Sequence, residues 1–139
     1  MAQEIISSLD NPRVKDIVRL RQRSGRRRGG PILIDGIRET TRALEAGIRP
    51  IEVFYCPSRL KHAEGARLMQ TVTWLGTPCT EVTEPVFRKI RYGQRLEGVV
   101  ATAARPELRL DELWPDDPPL VAAVEGVEKP GNLGAILRS

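Results

Sequence analysis

The order of apolar runs predicts an α/β protein, a small three-layer domain with a four-stranded sheet. Two observations carry that expectation. Four short apolar runs of strand length, at residues 31–34, 50–55, 79–82 and 98–103, alternate with stretches at helical spacing. Helices that separate successive strands in this way cover the faces of a sheet. In addition, residues 105–119 hold four prolines and read as a stiff, extended linker. A second strand, turn and helix start follow at residues 120–139. The expected organisation is therefore a domain at 1–104, a linker at 105–119 and the opening of another α/β domain at 120–139.

Each element has a local cause. Ser8-Leu9-Asp10-Asn11-Pro12 opens the first helix: Asn11 or Asp10 can cap it, and Pro12 sits where a missing N–H does no harm. Val14, Ile17, Val18 and Leu20 share one face, while Arg13, Lys15, Arg19, Arg21 and Arg23 fall largely on the others. Residues 24–30, Ser-Gly-Arg-Arg-Arg-Gly-Gly, read as a basic loop. A buried strand at 31–34 turns at Asp35-Gly36 into a helix over 37–45, with Ile37, Thr41 and Leu44 inward and Gly47 at its C-terminal end. After the strand at 50–55, Pro57-Ser58 breaks the chain and 59–69 forms a weaker helix; residues 71–77 are ambiguous. Thr83 caps a helix over 84–91 whose acids come first and bases last, as the helix dipole favours. Near the end, 120–124 reads as a buried strand, 126–132 as a turn, and Asn132 as the N-cap of a helix opening at 133.

Charge is distributed unevenly. Residues 13–28 carry eight Lys/Arg against one acid, Asp16, whereas the remaining 123 residues carry 14 bases and 17 acids. A concentrated basic segment on a slightly acidic body fits a polyanion such as nucleic acid; the alternative is a solvated charged loop. Arg19, Arg23, Arg26, Arg27 and Arg28 are the candidate phosphate contacts, since the arginine fork matches that anion. Lys89, Arg91 and Arg95 form a second cluster, or ordinary charge at a helix C-terminus, and Tyr92 beside them could stack on a base or join the core. Aromatic residues make up only 4% of the chain, too few for a row of stacking platforms.

Other chemistries find little support. His62 is the only histidine, and Cys56 and Cys79 lie far apart without a Cys-x-x-Cys, so no metal site is expected. Lys129 to Gly134 has neither the Gly-Lys-Ser/Thr of a P-loop nor Gly-x-Gly-x-x-Gly. A lone histidine also leaves no hydrolytic triad. There is no signal-peptide pattern and no 18-residue apolar stretch, so a cytoplasmic protein without a membrane partner is expected.

Asn132-x-Gly134-x-x-x-Arg138, placed after an apolar run and a Pro-Gly turn, resembles the first motif of the SpoU (TrmH-like) RNA ribose 2′-O-methyltransferases. Ser8 to Pro12 with its basic helix, and the strand-Asp35-Gly36-helix-Gly47 segment, resemble that family's N-terminal substrate-binding domain, which has a kink-turn-binding ribosomal-protein fold. The resemblance implies that residues 1–104 bind RNA, most of all ribosomal RNA. It implies that 120–139 open a knotted catalytic domain that uses S-adenosylmethionine, with Asn132 ordering the site and Arg138 holding a phosphate and the developing 2′-alkoxide. The cofactor pocket and the surface of the expected parent homodimer would lie beyond residue 139, so this chain alone is expected to transfer no methyl group. Leu120, Val121, Val124 and Ile136 are then expected to be exposed or paired with another chain. Two rivals stand beside this: a stand-alone RNA-binding module of the same fold, and a protein-interaction domain with an incidental basic loop.

Overall fold

The computed structural model describes residues 5–21, 30–60, 62–92, 97–107, 109 and 122–138. A two-residue strand, β1 (Ile5–Ile6), comes first. Asn11 decides where the first helix begins. Its side-chain oxygen accepts the Arg13 N–H at 2.9 Å and its carbonyl accepts the Lys15 N–H at 3.1 Å, so helix α1 runs Pro12–Arg21 from an asparagine cap. Strand β2 (Ile32–Asp35) leads into α2 (Ile37–Glu45). That helix closes with two bonds, Gly47 N–H to Leu44 and Ile48 N–H to Ala43, which satisfy its last carbonyls. Strand β3 (Pro50–Tyr55), a 3-10 turn (Pro57–Arg59), α3 (Ala63–Trp74), β4 (Cys79–Val82), α4 (Glu84–Ile90) and β5 (Val99–Ala103) complete the domain.

The sheet has five strands, one more than the four expected, in the order β1-β4-β3-β5-β2. The extra strand is β1, which pairs in parallel with Glu81 and Val82 of β4. Two residues are too short for any periodicity to register, yet Ile6 is buried in the core. The β3–β4 pair is also parallel, whereas β5 runs antiparallel to both β3 and β2. A bulge between Pro50 and Glu52 turns Ile51 outward and lets a proline, which lacks a ladder donor, begin a central strand.

Alternation along the central strands sorts the core into two layers. Phe54 and Val100 point to one face, where they meet Val14 and Ile17 of α1 and Val86, Phe87 and Ile90 of α4. Val53, Val99 and Ala101 point to the other, against Ile37 of α2 and Leu68 and Val72 of α3. The result is α1/α4, sheet, α2/α3, the three layers that the alternation predicts. Burying each of the phenylalanines, Phe54 and Phe87, contributes about 1.5–3 kcal/mol before ordering costs.

Several local expectations change. In α2 it is Thr40, rather than Thr41, that is fully buried; its hydroxyl donates to the Gly36 carbonyl at 2.7 Å, so the polar group is satisfied inside. Strand β2 is only half-buried because it lies at a sheet edge. Helix α3 starts four residues later than expected, after the 3-10 turn that Pro57 opens, and it absorbs 71–74 of the ambiguous stretch. Among the described residues no helix is long and apolar enough to cross a membrane.

The chain divides into two units, Met1–Pro106 and Glu107–Ser139. In the second, residues 122–124 form no strand, and Leu120 and Val121 lie outside the described residues. Helix α5 (Pro130–Ile136) begins at Pro130 rather than Leu133. A proline at the first helical position is pre-set for helix, so the turn winds up early. Leu108, Leu110, Leu113 and Trp114 of the linker lie outside the described residues.

Candidate nucleic-acid interface

Of the first set of candidate contacts helix α1 holds Arg19, and the arginines of this helix do different jobs. Arg13 donates to the Thr80 hydroxyl at 2.6 Å, pairs with Glu52, and lies over the Phe54 ring at 5.3 Å from its centre. It clamps α1 to β3 and β4. Arg19 is different: its side chain is 72% exposed and among the described residues pairs only with Asp16, at 3.3 Å, a pair of little energetic weight. It is open to a phosphate.

Arg21 brings the end of the basic helix α1 to the second cluster. Its guanidinium donates to the carbonyls of Lys89, at 2.8 Å, and Arg91. Carbonyls at the end of a helix lack partners within it, and a cation there is favoured. This contact fixes the end of α1 beside the end of α4. Arg21, the last described residue before 22–29, therefore lies next to Lys89 and Arg91. Arg23, Arg26, Arg27 and Arg28 themselves lie outside the described residues, as does Arg95. Lys89 donates to the Leu9 carbonyl at 2.9 Å, and Arg91 is half-buried. Tyr92 is 60% exposed, so of its two readings, stacking surface or core, the core is excluded.

Two carboxylates nearby accept backbone N–H groups. The Tyr92 N–H donates to the Asp35 carboxylate, and Glu97 accepts the first N–H of α2, from Ile37, at 3.0 Å. Burial pushes the Asp35 pKa up; Glu39 and Glu97 add to that, while the Tyr92 N–H and Arg91 oppose it. On the neighbouring 3-10 turn, Arg59 pairs with Glu84, which also takes Arg88 at 2.6 Å. These two guanidinium groups hold the Glu84 carboxyl below its usual range.

The opposite face of the sheet carries cations that the sequence did not single out. Helices α2 and α3 border a groove of about 830 Å³ whose lining includes Arg38, Arg42, Arg49 and Arg67 together with Glu45 and Glu64. Arg38 and Arg42 are one helical turn apart, a spacing visible in the sequence. Their approach to Arg67 depends on how α2 packs on α3, which no local pattern reveals.

In the second unit, Asn132 lies inside α5 and does not cap it; Lys129 holds the cap position. Asn132 and Arg138 are both exposed. A Cβ on Gly134 would lie 3.2 Å from Arg138 Nη1, so the missing side chain leaves room for the guanidinium to fold back over that turn. Val124 and Ile136 are 48% and 43% exposed, as expected of apolar residues without a core around them. Among the described residues no three His, Cys, Asp or Glu side chains gather as a metal site.

Residues 11–101 match the model of the MRM3-like substrate binding domain. A protein of Synechocystis sp. named as an uncharacterized tRNA/rRNA methyltransferase is 30% identical, over 96% of this chain and 47% of its own length. The crystal structure of an RNA 2′-O ribose methyltransferase superposes with a TM-score of 0.78 at 36% identity, covering 97% of this chain and 50% of that one. An AdoMet-bound rRNA methyltransferase from Sinorhizobium meliloti superposes with a TM-score of 0.65 at 23% identity, over 81% of this chain and 41% of that one, a likeness of fold alone. The chain thus spans about half the length of the relatives it matches. With the domain match lying on the five-stranded α/β unit, the chain belongs to the SpoU-like RNA methyltransferase family and carries its MRM3-like substrate-binding domain.

Proposed function

We propose that this chain is the RNA-recognition part of an S-adenosylmethionine-dependent RNA ribose 2′-O-methyltransferase acting on ribosomal RNA in the cytoplasm. Residues 1–104 bind the substrate, 105–119 link, and 120–139 open the catalytic domain of a homodimeric parent. The observation that carries this is the contact by which Arg21 sets the end of basic helix α1 beside Lys89 and Arg91, within a domain that matches a substrate-binding family over residues 11–101. Guanidinium and ammonium groups gathered at one place hold a phosphate backbone without reading its sequence.

Residues 122–138 of the second unit are exposed apart from half-buried Gly134, with Pro130 left aside. No catalytic step is assigned to this chain. Arg138, if it serves the reaction in the parent, does so as a fixed cation toward phosphate or alkoxide, since a guanidinium does not give up its proton near neutral pH. A stand-alone RNA-binding module has one observation in its favour: the first unit has a core on both faces of its sheet.

Two measurements on the 139-residue chain test the proposal. Binding to ribosomal RNA fragments is expected to weaken steeply with salt. Incubation with labelled S-adenosylmethionine and the same RNA is expected to give no incorporation. Absence of RNA binding at low salt sinks the RNA reading; methyl transfer by this chain alone sinks the division of labour.

A further inference from the structure

We infer that the groove between α2 and α3 is a second RNA-binding surface, on the face of the sheet opposite α1 and α4, that takes the phosphate backbone of a substrate strand. The inference rests on the RNA-recognition reading above and adds a place to it.

The cations on the two faces differ in their commitments. On the α1/α4 side, Arg13, Arg21, Arg59 and Arg88 all have partners within the fold, in Glu52 and Thr80, the carbonyls of Lys89 and Arg91, and Glu84. The charge of these four is largely spent on holding elements together, while Arg19 of α1 stays open. On the other side, Arg38, Arg42, Arg49 and Arg67 are all exposed and line one groove. Among the described residues none of these four side chains has a hydrogen-bond or ion-pair partner. Glu45 and Glu64 offset only half of their charge.

Four exposed guanidinium groups along one groove repel one another, so the arrangement favours an anion between them. Arg38 and Arg42 lie about 6 Å apart along the helix axis, enough for two forks to hold neighbouring phosphates. Leu44, Leu68 and Leu75 also line the groove, giving apolar surface beneath the charged rim. At the end of α3, Trp74 is 85% exposed and sits directly before Leu75, three residues after the lining residue Thr71. An indole left in water beside a cationic groove is suited to stack on an unpaired base. RNA supplies both phosphates and bases, whereas an acidic protein segment supplies only the charge.

The test uses the whole 139-residue chain and a fluorescein-labelled RNA stem–loop, read by anisotropy over a salt series. The triple variant Arg38→Ala/Arg42→Ala/Arg67→Ala removes exposed, unpaired side chains, and its thermal melt should stay close to that of the parent chain. Its RNA affinity is expected to fall at least about tenfold, and the slope of log affinity against log salt to shrink by about 2. Trp74→Ala is expected to lose about fivefold or more in affinity without changing the salt slope. If the parent chain binds the stem–loop and the triple variant binds it equally well with the same slope, the groove is not an RNA site, although the functional proposal stands. If the parent chain does not bind, the functional proposal itself fails. Displacement of the RNA by poly-L-glutamate as readily as by unlabelled RNA would overturn RNA as the occupant.

Discussion

Arg13 lies in the most basic stretch of the chain, yet the structure makes it a clamp, and the two roles predict opposite results on substitution. Arg13→Ala deletes a charge-assisted bond to Thr80, an ion pair to a Glu52 side chain that is only 20% exposed, and the contact with the Phe54 ring. A hydrogen bond to a charged group contributes about 1.5–3 kcal/mol, and a partly exposed cation over a ring about 0.5–1 kcal/mol. Because the Arg13 side chain is itself 38% exposed, solvent screens part of this, and a net loss of about 2 kcal/mol is expected. For a domain of this size that lowers Tm by about 8–16 °C. Urea and thermal unfolding followed by circular dichroism measure the loss, and RNA anisotropy over a salt series measures the binding role. The clamp predicts a large stability change and an unaltered salt slope. A stability change under about 0.5 kcal/mol, together with a slope reduced by about 1, refutes the reasoning and adds Arg13 to the phosphate contacts.

Other outcomes follow from single features. Gly98 has φ +80, and an added Cβ would lie 2.8 Å from the Arg59 Cβ and 3.0 Å from its backbone carbonyl carbon, whereas Gly76, at φ +72, faces open space. Gly76→Ala should cost about 1–2 kcal/mol of left-handed strain, and Gly98→Ala about 1–3 kcal/mol more; equal losses in parallel urea melts would count against the close approach. The raised pKa of Asp35 means that the folded chain holds that proton more tightly than the unfolded chain does, so ionising Asp35 reduces stability. Stability from this group is present below the ordinary carboxylate pKa and is lost as pH rises through the raised one. Asp35→Asn keeps an acceptor for Tyr92, so it should be more stable than the parent chain at pH 7 and level with it near pH 3; a variant less stable at pH 7 contradicts this. Glu84 has the opposite sign: its lowered pKa gives stability above the usual carboxylate range that disappears on acidification. Glu84→Gln should therefore weaken the domain at pH 7 and leave it unchanged once the parent's Glu84 is protonated, as paired melts at pH 7 and pH 2 would show.

Much of the substrate-binding domain is legible in the sequence, for a reason visible in its strands. β3 and β5 are apolar runs because their residues face two helical layers in turn, and such runs stand out from the polar helices between them. α2 carries its own stop signal in Gly47. β1 has no such signature. Its identity comes entirely from β4, whose edge it covers, and two isoleucines before a serine are indistinguishable from a tail. The unit at the end is the opposite case. The apolar run that ends in Ala122, Ala123 and Val124 reads as a strand by its composition. A strand exists only where another strand accepts its bonds, and among the described residues none does so for these three.

The same division runs through the candidate interface. Composition alone determined that a cluster of arginines sits near the start of an α/β domain, because charge is a property of residue types and survives without a structure. The motif Asn132-x-Gly134-x-x-x-Arg138 likewise tied the chain to its family before any fold was known. Which cations can reach a ligand was decided only by tertiary structure. Arg13 and Arg21 look like surface charges and are held inside the framework, while Arg38, Arg42 and Arg67, scattered over thirty residues of sequence, come to border one groove. An ion's availability depends on its partners, and partners distant in sequence meet only when the helices pack.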